Sequence, residues 1–161
     1  MRRIIGLLLG LLMAVALASA PPVAASSAIK ISGTYSTSQF VVDGLQQDGL
    51  SLHLTGHGTS AWSGSFQGTT TFAGSAVVSL VNGTTRGNLT ETFTGSVVGL
   101  GSGTIEFRES FFISAGGNLR LEYVITGGSG ALEGALGAGV FVGISAPDGS
   151  GSGTYSGTLV P

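Results

Sequence analysis

The chain has 161 residues, 42% hydrophobic and only 9% charged, with 29 glycines, no cysteine and a formal net charge of −2. Loss of a leader carrying Arg2 and Arg3 leaves four basic residues against eight acidic ones, a net charge of −4. That balance excludes a nucleic-acid binder, which needs a basic stripe to meet phosphates. The missing cysteines exclude disulfide staples, so stability must come from packing and strand pairing.

Met1-Arg2-Arg3 is followed by an uncharged apolar stretch, Ile4–Leu17, and then by small residues. This is the order of a secretory signal peptide. Cleavage is expected after Val23-Ala24-Ala25, so that residues 1–25 are the leader and 26–161 a single domain. A cut after Ala18-Ser19-Ala20 also fits the small-residue pattern but leaves Pro21 at the new terminus. An uncleaved anchor would need roughly 20 apolar residues, and Ile4–Ala20 ends short of that at Pro21-Pro22. The expected product is secreted or periplasmic and has no stable membrane span. Lipid attachment through cysteine is excluded.

Beyond the leader, period-2 alternation recurs between glycine, Asn-Gly and Asp-Gly breaks, and no helical period is sustained. The pattern predicts strands at Ile29–Ser36, Ser51–Gly58, Ser60–Phe72, Ser75–Val81, Arg86–Val98, Gly103–Ser114, Asn118–Thr126, Ala135–Ser145 and Gly151–Val160. Gln39–Gly49 reads as a mobile loop. Asn82-Gly83 suits a two-residue type I′ hairpin, Gly116-Gly117-Asn118 the next one, and Asp148-Gly149 leads into the last strand. The expected fold is all-β: an antiparallel closed barrel of eight, or on these boundaries nine, strands.

Glycines inside strands (Gly33, Gly64, Gly68, Gly95, Gly134, Gly139, Gly157) suit the bends a small barrel needs. Gly-Thr-Tyr-Ser occurs twice, at Gly33–Ser36 and Gly153–Ser156. Closure would bring those first and last strands together and remove the sheet edges. Ile105, Phe107, Phe111 and Ile113 share one face, as do Leu119, Leu121, Tyr123 and Ile125. Glu106, Arg108, Ser110, Arg120 and Glu122 fall on the opposite, solvated faces.

Three stretches resemble the allene oxide cyclase-like and dirigent-like β-barrel proteins, in particular the bacterial members of that group. They are Thr92–Thr104, the glycine-rich Tyr123–Gly139, and Gly153-Thr-Tyr-Ser-Gly157. Gly33-Thr-Tyr35 and Trp62-Ser-Gly-Ser-Phe66 agree more weakly. The resemblance implies an eight-stranded antiparallel barrel with an apolar lumen, often assembled as a dimer or trimer. No catalytic motif of the plant enzymes aligns residue by residue, and fold does not carry function across.

Two carboxylates fall in step with apolar residues: Glu91 with Leu89 and Phe93, and Glu109 with Phe107 and Phe111. Turned inward, they would be desolvated and their pKa values raised, as a general acid requires. Tyr123 on the following strand is the third candidate in this group. The bland alternative is a bulge that turns either Glu outward. Trp62, Phe66, Phe107, Phe111 and Tyr123 are the candidate lining of a lumenal pocket for an apolar ligand, or simply the core. His53 and His57 share a strand face, but ~13 Å separates residues four apart on a strand, and no third ligand is evident. No metal is expected. The glycine corner at Gly127–Gly139 lacks the Lys-Ser/Thr of a phosphate loop and the helix of a dinucleotide fold, so no cofactor is expected either. Two functions remain in view. The first is an exported barrel binding an apolar small molecule or a protein partner. The second is a cyclase or isomerase-like enzyme using a lumenal carboxylate.

Overall fold

The computed structural model describes residues 27–161. The expected leader therefore lies outside the described residues. Eight strands follow in chain order: β1 Ile29–Asp48, β2 Ser51–Gly64, β3 Phe66–Ser79, β4 Thr85–Val97, β5 Gly101–Ile113, β6 Asn118–Gly130, β7 Leu136–Ser145 and β8 Gly151–Val160. Each pairs antiparallel with its sequence neighbour, and β8 returns to β1 to close the ring.

The seam is made by the repeated tetrapeptide. Gly33 pairs with Tyr155, Thr34 with Thr154, and Tyr35 with Gly153. Each tyrosine ring thus faces a glycine of the other copy. A Cβ on Gly33 would collide with the Tyr155 ring. The first and last strands approach closely because this sequence leaves room for two large inward rings at the point of closure.

Three expectations need correction. Ser60–Phe72 is not one strand. The chain reverses within it at Gly64, whose φ of 104° belongs to glycine. The Tyr155 hydroxyl clamps this reversal, accepting from Phe66 N at 2.8 Å and donating to Ser63 O at 3.0 Å. The segments Ser60–Phe72 and Ser75–Val81 consequently merge into longer strands, and the count is eight rather than nine.

Gln39–Gly49 is not a loop. It continues β1, paired with β2 from Gln39↔Thr59 to Asp48↔Ser51. Two register shifts leave Ser38 and Asp43 without partners. Each extra residue resets the period-2 phase, so Phe40, Val42 and Leu45 lie opposite Gly58, Gly56 and Leu54 although their spacing breaks alternation.

The Asn82-Gly83 turn is wider than a two-residue hairpin. Gly83 N reaches back to Ser79 O and Ser79 N to Thr84 O, with Gly83 at a φ of 69°. The turns before Asn118 and Ser150 place Gly117 and Gly149 in the left-handed region, as the glycine signals there predict.

The interior is stratified. Towards one end it is filled by rings around Trp62, whose centroid lies 5.0–5.8 Å from those of Phe66, Phe93, Phe107, Phe141 and Tyr155. These are contact distances for packed aromatics. The Ala131–Ala135 turn folds over this end and inserts Leu132, only 1% exposed. The other end is open. There the inward residues Leu54, Phe72, Leu89, Phe111 and Leu119 are only partly buried. The β1–β2 hairpin runs on to an exposed Leu45 and Leu50.

Candidate functional site

Between the packed end and the open end lies a polar layer. Glu91 on β4 pairs across to Phe72 and Phe107, and Glu109 on β5 to Leu89 and Tyr123. Neither strand bulges at its glutamate, so period-2 alternation holds and both carboxyls face inward. Glu91 is 6% exposed and Glu109 5%. With Glu91 opposite Phe107, Glu109 stands two residues along the same face, the diagonal neighbour. Thr70 on β3 holds the corresponding diagonal on the other side, since Thr70 pairs with Phe93.

This layer is short of partners. Both Glu109 carboxyl oxygens, Thr70 Oγ1 and the Tyr35 hydroxyl find no hydrogen-bond partner among the described residues. Thr70 and Glu109 still lie close enough to Glu91 to hold its pKa down slightly, though without the geometry of full hydrogen bonds. Burial outweighs them and pushes Glu91 up to about 7. Burial likewise raises Glu109 well above the usual carboxylate range, and the neighbouring Glu91 charge adds to it. Burial, and then the charges of Glu91 and Glu109, push Tyr35 up to about 12. Tyr123 is raised by burial, Tyr155 and Glu109. Its hydroxyl finds only a long contact, 3.4 Å, to Ser156 O.

Among the described residues no cation answers this charge from inside. Arg86, Arg108, Arg120 and Lys30 are all exposed. Arg120 is engaged with Glu122 on the outer face at 3.0 Å. Two adjacent carboxyls in low dielectric cannot both ionise cheaply, so they retain a proton between them near neutrality.

Chain-fold comparison adds a fold and no chemistry. Solved structures share the architecture, and one of them shows the likeness in fold alone. It is a protein of unknown function from the DUF3224 family of Shewanella oneidensis, 15% identical, with a TM-score of 0.65 over 83% of this chain and 96% of that one. No protein-family profile matches the sequence. No curated protein matches it either.

The residues singled out in the sequence separate into two groups. Glu91, Glu109 and Tyr123 come together in the polar layer, with Phe107 on its floor and Phe111 above it towards the open end. Trp62 and Phe66 lie in the packed half, among rings in mutual contact, and leave no space beside them. Two members of the layer escaped sequence reading. Thr70 continues the alternation Phe66, Gly68, Thr70, Phe72, but threonine does not register as an inward residue. Tyr35 was visible only as part of a repeat, and its role depends on the seam. His53 and His57 both lie on the outer face, and His57 Nδ1 sits 2.8 Å from Asp43. Among the described residues no group of three or more His, Cys, Asp or Glu could hold a metal.

A broad recess of about 650 Å³ lies on the outer wall, lined by exposed side chains of Arg108, Ser110, Glu122 and Val124 among others. It is open to solvent. The side chains of Glu109 and Tyr123 point through the wall to the other side, so the recess shares their backbone and not their chemistry.

Proposed function

We propose that the protein is an exported barrel of the allene oxide cyclase-like and dirigent-like kind that takes an apolar small molecule through its open end. One observation carries the reading: inward-facing apolar side chains at that end stay partly exposed directly above a buried acid pair in which the Glu109 carboxyl lacks partners. Phe40 and Phe72 stack there at 6.3 Å with their planes 5° apart. They lie flat over Gly56 and Gly58, where any Cβ would collide with the rings. A wall of glycine and phenylalanine is suited to a flat or chain-like apolar body. The packed half sets the depth of the site, and the acid pair is its floor.

The same floor favours a second reading, a cyclase or isomerase-like enzyme. A carboxyl that keeps its proton near neutrality can donate it to a bound group. Glu109, with both oxygens free, would be the donor and Glu91 the charge beside it. In that case Glu109→Gln abolishes turnover of an apolar substrate while leaving its binding intact.

Export rests on the leader pattern, and assembly into a dimer or trimer on exposed apolar side chains of the outer wall such as Val124, Val142 and Ile144. Sedimentation at micromolar concentration tests the assembly. The binding reading is tested by titrating the mature protein with a fluorescent apolar probe. Saturable binding weakened by Phe72→Asp or Phe111→Asp supports it. Linear, non-saturating uptake overturns it.

A further inference from the structure

We infer that the apolar ligand carries a protonated amine, received by Glu91, Glu109, Thr70 and Tyr35. The inference deepens the binding reading above and depends on it. It rests on the inventory of the polar layer. Glu109 offers two free oxygens, and Thr70 Oγ1 and the Tyr35 hydroxyl are equally free of partners, all more than nine-tenths buried. Buried polar atoms without partners cost roughly 1–3 kcal/mol each, and more when charged, so four in one layer point to a guest that satisfies them.

The chemistry of the guest follows from what the layer lacks. Its side chains supply carboxylate, hydroxyl and phenol oxygens, and no basic group among the described residues faces them. An anionic head group, such as a fatty acid carboxylate, would be repelled. A neutral hydroxyl has one proton to give and fills one acceptor. An ammonium has three N–H donors, to be shared among the acceptors of Glu109, Glu91 and the Thr70 and Tyr35 hydroxyls. Its positive charge offsets the carboxylate charge that burial disfavours. The rings flanking the layer complete the fit. Phe72 and Phe107 lie opposite Glu91, and Tyr123 lies opposite Glu109, so aromatic residues flank the acids on both sides, and aromatic rings suit a bound cation. The hydrocarbon part then extends towards Leu89 and Phe111 at the open end.

Proton balance is explicit. The empty site holds a proton on the carboxyl pair. The single positive charge of an ammonium matches the single negative charge of the singly protonated pair, so that proton stays and only a second proton, where the empty pair still carries one, leaves to solvent. The groups facing the pair are Thr70 on β3, Tyr123 on β6 and, from across the interior, Tyr35 on β1, all uncharged near neutrality, so among the described residues no other facing group titrates in response.

The test compares n-hexylamine with 1-hexanol by calorimetry at pH 7, using mature wild-type protein and the Glu91→Gln/Glu109→Gln double variant. The amine is expected to bind about tenfold more tightly than the alcohol, the usual gain of a charge-assisted hydrogen bond over a neutral one. Repeating the titration in buffers of different ionisation heat should show less than one proton released per amine bound, because the pair keeps one. In the double variant the amine advantage should vanish while hexanol still binds, which shows that the site is folded and open. Equal binding of amine and alcohol to the wild type overturns the amine inference and leaves the apolar site standing. An amine advantage that survives in the double variant also overturns it, placing the amine on surface acids. Binding of neither probe overturns both readings.

Discussion

The buried carboxyls make this protein less stable as pH rises, and the amount follows from their environment. Glu91 has its pKa raised from 4.5 to about 7 by burial. Below 4.5 the folded and unfolded chains both hold the proton, and stability is at its fullest. From 4.5 to about 7 the unfolded chain ionises while the folded one does not, so the folded state binds more protons and stability falls with pH. At 1.36 kcal/mol per unit, a shift of that size removes about 3 kcal/mol from Glu91 alone. Above pH 7 its contribution levels off, but Glu109, raised further, continues the decline. Asp148 works in the opposite direction, since Ser150 stabilises its ionised form, but it is fully exposed and contributes little. Urea unfolding at pH 4.5 and pH 8 reads the difference. With slopes of ~1–3 kcal/mol/M for a domain of this size, the midpoint should be about 1–3 M lower at pH 8. The Glu91→Gln/Glu109→Gln variant has no proton to lose at these sites and should show little of this drop. A wild-type midpoint that stays level or rises towards pH 8 would refute the reasoning, as would a double variant that keeps the full decline.

Other expectations concern the frame around the site. Tyr155→Phe removes the hydroxyl that satisfies Phe66 N and Ser63 O; the buried Phe66 N–H and the partly buried Ser63 carbonyl then lose that partner, and thermal or urea unfolding should show a loss of about 1–3 kcal/mol. Leu132→Ala withdraws the plug from the packed end and should cost about 2–4 kcal/mol, with Trp62 emission shifting to longer wavelength as water gains access. His57→Ala breaks a pair with Asp43 that is more than half exposed on both sides; the unfolding midpoint should move by less than the equivalent of about 0.5 kcal/mol.

Legibility in the sequence followed the regularity of the ladders. From β4 to β8 alternation runs nearly unbroken, and the strand boundaries, the inward faces and both glutamates could be read directly. The seam was visible too, because each copy of Gly-Thr-Tyr-Ser pairs a bulky inward ring with a glycine. The β1–β3 region was harder. Bulges at Ser38 and Asp43 reset the phase of β1, so a twenty-residue strand looked like a short strand and a loop. The reversal at Gly64 sits between Trp62 and Phe66, both inward, and imitates continuous alternation across what is a turn. The floor of the site was half legible. Glu91 and Glu109 announced themselves as charges in apolar series, whereas Thr70 and Tyr35 carry no charge and gain their role only from ring closure. The division of the interior into a packed half and an open half could not be read at all. It depends on which rings meet across the ring, and the Leu132 plug comes from a corner that the sequence marks only as glycine-rich.

The most direct measurement of the central claim, that an acid pair lies beneath an apolar entrance, is the carboxyl ¹³C shift of Glu109. It should be followed by NMR from pH 4 to pH 9 with and without an apolar ligand. Glu109 should titrate well above the ordinary carboxylate range, and its signal should move when ligand is added. A Glu109 that titrates within the ordinary carboxylate range, and whose signal ignores a ligand shown to bind, would contradict it.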